Sequence, residues 1–210
     1  MSFKVVNLES LNEKYNLNVS GICHVGAHTA KESHRYINLF GNIPILFLEA
    51  NPQQEEHIKN NIKDYKSIDY KIVAAGESFS TSKFYLNTST EGQSSSLLKP
   101  LEHLKLYPFA TFNKTIEVNV EPLDFILGDF SPNFLNIDVQ GYELKVLEGA
   151  KEKLNSVDYI ITEVNKSELY EKCALIEEID EHLSEYGFER AELEWYGNTE
   201  PWGDAFYIKR

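Results

Sequence analysis

Ile22-Cys23-His24-Val25-Gly26-Ala27-His28-Thr29-Ala30 is an apolar run that ends in small residues and opens toward a helix-like stretch. Ile45-Leu46-Phe47-Leu48-Glu49-Ala50-Asn51-Pro52 repeats the design with an acid at the strand end, 23 residues after Gly26. Phe134-Leu135-Asn136-Ile137-Asp138-Val139-Gln140-Gly141-Tyr142-Glu143 repeats it again. Continuously apolar strands are those covered by helices on both faces of a parallel sheet. Ligands of such sheets bind in the crevice at the carboxyl ends of the strands. The three stretches therefore predict one site for a nucleotide-type ligand with a reaction beside it.

Outward from these strands the elements alternate. The spacing of Val5, Leu8, Leu11 and Tyr15 predicts an amphipathic helix over Val5 to Leu17, within an N-terminal helical segment at 1–18. Further helices are expected over Thr29 to Phe40, where Gly41 stops the helix, and from the Asn51-Pro52 cap to Ile62. Two more are expected over Tyr142 to Leu154 and Glu171 to Tyr186. Strands are expected at Ile22 to Val25, Ile45 to Leu48, Tyr70 to Ala75, Ser82 to Leu86, Thr115 to Val120, Phe134 to Val139 and Tyr159 to Val164. A closing pair, Glu189 to Tyr196 and Ala205 to Lys209, follows. Thr88 to Ser96 reads as a loop inside an irregular 87–115 segment. This order predicts one α/β domain over 1–210, a mostly parallel doubly wound sheet with a C-terminal antiparallel pair.

Composition narrows the classes. The 210 residues are 42% hydrophobic with a formal net charge of -13. A surface so acidic repels phosphate backbones and anionic membranes, so neither nucleic acid nor membrane is expected as partner. No apolar run approaches the roughly 20 residues of a membrane helix. The first residues do not read as a signal peptide, and Cys23 and Cys173 read as free thiols of a reducing compartment; a cytoplasmic protein is expected. Composition leaves the oligomeric state open.

Gly26, Ala27 and Ala30 would let a ligand approach the backbone, and the helix beyond favours a negative group. Glu49 can accept hydrogen bonds from both hydroxyls of a ribose. A dinucleotide needs glycine amides around its pyrophosphate, and only one of three fingerprint glycines is present. S-adenosylmethionine is preferred, with an NAD-dependent oxidoreductase as the weaker alternative.

Three blocks carry a family resemblance: Val25-Gly26-Ala27-His28, Leu48-Glu49-Ala50-Asn51-Pro52, and Ile137-Asp138-Val139-Gln140-Gly141-Tyr142-Glu143-Leu144 continuing to Ala150. With them the chain resembles the FkbM-type methyltransferases, over about residues 20 to 165. The resemblance implies a Rossmann-like class I methyltransferase fold, S-adenosylmethionine as donor, and O-methylation of a sugar or other hydroxyl. Gln140 replaces the Glu of the family signature, His24 an Asp, His28 an Asn and Ala30 a Gly. These departures leave open a catalytically inactive Rossmann-like binding module.

On this reading the donor site comprises His24, Gly26, Ala27, His28, Glu49 and Ala50, with Ala74 and Ala75 beside the adenine. The Ser94-Ser95-Ser96 loop would close over it as a lid. An alcohol needs a base as it attacks. Asp138 is the first candidate, or else it orients the donor's ammonium and also belongs to the donor site. Glu163 is the second candidate and His28 a third. Asp138 and Glu163, with Asn165, are also weighed as a Mg²⁺ site and not favoured. Tyr107, Phe109, Phe112, Tyr196 and Trp202 are weighed as an acceptor platform, against a plain core role. His34, His57, His103 and His182 are expected on exposed positions.

Overall fold

The computed structural model describes residues 6–197 and 200–210. Val5, at the head of the first predicted helix, and Asn198 and Thr199, in the last loop, lie outside the described residues. Strands β1 (Ile22–Val25) and β2 (Ile45–Glu49) are buried at every position. They pair in parallel, Ile22 beside Ile45, and β1 pairs on its other edge with β7 (Phe134–Ile137), Ile22 beside Phe134. With β3 (Ile68–Ile72), β8 (Tyr159–Asn165), β9 (Phe188–Trp195) and β10 (Trp202–Lys209) they form a seven-stranded sheet ordered β3-β2-β1-β7-β8-β10-β9. The first five of these are mutually parallel; β10 runs against both neighbours. The predicted doubly wound sheet with its closing pair is the one observed.

Helices cover both faces. On one, Tyr36 of α2 (Ser33–Phe40) and Ile58 of α3 (Glu55–Ile62) pack with Phe47 and Phe134, beside Leu8 and Leu11 of α1 (Leu8–Tyr15). On the other, Val146 and Leu147 of α6 (Glu143–Glu148) join Ile179 and Leu183 of α7 (Ile176–Ser184) against Leu48 and Ile137. Burying each such aliphatic or aromatic side chain contributes about 1.5–3 kcal/mol before conformational entropy is charged against it. Among the described residues no helix is long and apolar enough to cross a membrane.

Several boundaries differ from the sequence expectation, and the larger differences have local reasons. The helix predicted from Thr29 begins at Ser33, because His28 (φ 49°) and Ala30 (φ 56°) take left-handed backbone and lengthen the turn. The strand predicted over Tyr70 to Ala75 is two strands in different sheets. β3 stays with β2, whereas β4 (Ala74–Gly76) pairs with β6 (Lys114–Pro122), which also binds β5 (Ser80–Leu86) in a separate three-stranded sheet. The small residues of β4 let it pass beneath α6: a Cβ on Gly149 would stand 1.9 Å from the Gly76 carbonyl oxygen. α6 ends at Glu148 instead of Leu154, with Gly149 as its C-cap. Finally, α7 starts at Ile176 and not Glu171, since Lys172 is left-handed (φ 60°) and the Glu178 carboxylate caps the Leu175 N–H at 2.8 Å.

Candidate active site

The carboxyl ends of β1, β2, β7 and β8 open into one cavity of about 590 Å³, within the size range of small-molecule sites. The β1 turn contributes His24, Gly26, Ala27 and His28, and β2 contributes Glu49 with Ala50 beyond it. Ala74 and Ala75 line the wall beside them, with Asp138 just past β7 and Glu163 two residues before the end of β8. Asp138 lies one residue past its strand, its N–H donating to the Val25 carbonyl at 2.9 Å.

Glu49 is buried and held on both oxygens. The His28 N–H donates to Oε2 and the Asn51 N–H to Oε1, each at 2.7 Å. Burial pushes its carboxyl up to about 7 against these two donors. Its four lone-pair directions leave room for further donors from the cavity.

Asp138 projects into the open cavity yet is ringed by protein, and the loss of bulk water raises its carboxyl above the usual range. Gln140 lies between the acids: its Nε2 donates to Asp138 Oδ1 at 2.7 Å and to Glu163 Oε2 at 2.9 Å. The Tyr170 hydroxyl lies 2.9 Å from the Ser94 carbonyl oxygen and 3.1 Å from Gln140 Oε1. Burial first, then the charge of Asp138, lifts Glu163 well above an ordinary glutamate. Glu143 serves the backbone instead, accepting the N–H groups of Val139 and Gly141 at 3.0 Å each. It thereby fixes the turn in which Gln140 (φ 58°) and Gly141 (φ 97°) are left-handed.

The histidines have distinct roles. His24 is buried, its Nδ1 3.1 Å from the Tyr36 hydroxyl, which accepts from Asn136 Nδ2 at 2.7 Å; burial lowers its pKa and keeps it neutral. His28 Nε2 lies 2.9 Å from the Glu91 carbonyl, an acceptor only, so this nitrogen carries the proton. Gln54 Nε2 donates to the same carbonyl at 2.6 Å. The 88–96 loop is thus tied to the side of the cavity that carries His28 and Glu49. His103, expected at an exposed position, is buried on the cavity wall in contact with Tyr107, Phe112 and Tyr170, and His182 is half-buried.

Ser94 and Ser95 line the cavity, but Ser96 does not. Ser96 is buried, its Oγ donating to the Gln140 carbonyl at 2.8 Å and accepting the Leu98 N–H at 2.9 Å, so it pins the loop base. Phe112 is likewise packed behind the wall against His103. Tyr107, Phe109, Tyr196 and Trp202 reach the cavity. Asp204, Tyr170 and the bridging role of Gln140 were missed from the sequence. An isolated acid in the otherwise apolar Trp202–Tyr207 stretch was the one available signal. Among the described residues, no three His, Cys, Asp or Glu side chains converge to hold a metal ion.

The strand order, the strand-end cavity and its buried acids define a class I, Rossmann-like methyltransferase fold. Solved structures agree on it. The precorrin-6y C5,15-methyltransferase of Geobacter metallireducens GS-15 superposes with a TM-score of 0.53 at 14% identity, over 100% of this chain and 95% of that one. The N-methyltransferase NodS of Bradyrhizobium japonicum WM9, in complex with S-adenosyl-L-homocysteine, gives 0.55 at 7% identity, over 95% and 83%. The family model for the methyltransferase FkbM domain matches residues 24–190, and the chain belongs to that family. It is also 25% identical over 158 residues to the 2-O-methyltransferase NoeI of Sinorhizobium fredii (strain NBRC 101917 / NGR234). That alignment covers 71% of this chain and 65% of NoeI.

Proposed function

We propose that the protein transfers a methyl group from S-adenosylmethionine to a hydroxyl of a small acceptor, a sugar or glycan. The observation that carries this reading is the placement of Glu49, buried at the end of β2 with both oxygens oriented by backbone N–H groups, in one cavity with Asp138. When bound, the donor supplies an electrophilic methyl on a sulfonium. The protein's part is to bind, orient and take a proton. Glu49 accepts the ribose hydroxyls; the Gly26-Ala27 turn receives the amino-acid end; Ala74 and Ala75 leave room for the adenine. Asp138 receives the hydroxyl proton as that oxygen gains the methyl group, and the electrons of the broken S–CH₃ bond stay on sulfur. Glu163 is buried behind Gln140 whereas Asp138 projects into the cavity, which makes Asp138 the base in this reading. The resemblance to the 2-O-methyltransferase NoeI supports O-methylation.

Calorimetric titration with S-adenosylhomocysteine tests the donor half. Micromolar binding is expected, weakened about 30-fold or more in Glu49→Ala through the loss of charge-assisted hydrogen bonds. Formation of S-adenosylhomocysteine from S-adenosylmethionine with a panel of methyl glycosides tests the acceptor half. A well-folded protein that binds neither nucleoside refutes the proposal.

A further inference from the structure

Three carboxylates stand in a row across the closing strands. Glu163 on β8 lies opposite Asp204 on β10, and Asp204 lies opposite Glu194 on β9. Residues directly opposite share one face of a sheet, with Cβ atoms about 4.5–5.5 Å apart, and like charges there are destabilising. Among the described residues no lysine or arginine pairs with any of the three. Glu163 accepts from Gln140 and Asp204 from the Val6 backbone. Burial pushes Asp204 up to about 7, and among the described residues the row has no counter-charge.

The next position along is equally unsatisfied. Asn165, two residues beyond Glu163 and on the same face, is fully buried, and neither its Oδ1 nor its Nδ2 has a partner. It lies opposite Trp202. The Trp202 indole is stacked on Tyr196 at 4.2 Å and 17°, and its Nε1 donates to the Tyr107 hydroxyl at 2.9 Å, which in turn donates to Glu200 at 2.9 Å. The indole is therefore held in place at the cavity wall, beside two acids that also line it.

We propose that this arm of the cavity is the acceptor subsite and that it takes an amine-bearing sugar, ring face against Trp202 and ammonium between Glu163 and Asp204. The proposal rests on the methyltransferase reading above and narrows its substrate. An aromatic plate suits the apolar face of a sugar ring, and it also attracts a cation. A phosphorylated or carboxylated sugar would meet the acids with the wrong sign. A neutral sugar would leave the row without a counter-charge. A metal ion would need a tighter convergence of ligands than the described residues provide.

The test uses the full chain with Trp195→Phe, which leaves Trp202 as the fluorescent reporter, saturated with S-adenosylhomocysteine. It is titrated with methyl β-glucosaminide, methyl β-glucoside and methyl β-glucuronide. The amine should bind about tenfold more tightly than the neutral sugar, with no response to the anion. Asp204→Asn should bring the amine and the neutral sugar within about twofold while leaving S-adenosylhomocysteine affinity unchanged; Glu163→Gln serves if that variant does not fold. Equal binding of the three sugars, or a preference that survives both substitutions, overturns the proposal. A quench produced by Mg²⁺ alone and competed by the amine overturns it in favour of a metal site. Failure of S-adenosylhomocysteine to bind at all, before any sugar is added, counts against the methyltransferase reading instead.

Discussion

The side-chain amide of Gln140 donates to Asp138 Oδ1 at 2.7 Å, and the same nitrogen donates to Glu163 Oε2 at 2.9 Å. One neutral group therefore bridges a buried carboxylate and one that faces the cavity, at the position where the family signature has a glutamate. Far from disabling the site, the substitution gives both acids a donor that a third carboxylate would lack.

Restoring that carboxylate should be costly. In Gln140→Glu a third acid shares the pocket, so the base is held protonated to higher pH. The rising limb of the pH–rate profile for methyl transfer should move alkaline by about one unit. Gln140→Ala should lower kcat about tenfold or more with S-adenosylhomocysteine affinity preserved. An unchanged profile in both variants would show that the bridge is merely structural.

Stability of the unliganded protein should fall between pH 5 and pH 8. Burial raises Glu49, Glu143 and Asp204 to about 7. Each group binds its proton more tightly folded than unfolded. Its contribution is fully present below the ordinary carboxylate range and is lost as pH rises through about 7. Tm should drop by several degrees over that interval. Glu49→Gln should make the drop smaller in a calorimetric scan, and a Tm that rises with pH would contradict the assignment.

Two glycine substitutions separate folding from chemistry. A Cβ on Gly149 would stand 1.9 Å from the Gly76 carbonyl oxygen, backbone against backbone. Gly149→Ala should cost about 3 kcal/mol or more, read by urea unfolding. A Cβ on Gly26 (φ 85°) would stand 1.8 Å from the Asp138 carbonyl oxygen. Gly26→Ala should therefore displace the proposed base and abolish transfer, even where circular dichroism shows the fold retained.

The loop should govern how long the nucleoside stays. Gln54 and His28 both donate to the Glu91 carbonyl. Removing the first with Gln54→Ala forfeits about 1 kcal/mol of closure, so S-adenosylhomocysteine should dissociate about fivefold faster in stopped-flow displacement.

The strands at the centre of the sheet were legible because a fully buried strand must be apolar at every position, and Gly21 and Gly26 bracket one such run. Glu49 and Asp138 were legible for the same reason, as acids closing apolar runs. The Ala27–Ala30 turn was not, since nothing about His28 or Ala30 announces left-handed backbone. Nor was the break at Val73: Ala-Ala-Gly reads equally well as the end of β3 or the start of β4, and only the packing beneath α6 decides. Ser96 was misassigned because a hydroxyl near a cavity and one pinning a loop look identical in sequence. The Gln140–Tyr170 contact and the Glu163–Asp204 row join residues about 30 and 40 positions apart, and such pairings exist only once the sheet has formed.

The split of β4 from β3 divides the labour of the molecule. Glu49 hangs from the central sheet, whereas the loop bearing Ser94 and Ser95 extends from β5, in the separate three-stranded sheet. Insertions or exchanges in the loop that leaves β5 would reshape the roof of the cavity while leaving Glu49 and the central strand ends in place. The architecture is thus suited to diversification: fixed strand ends beneath an interchangeable cover.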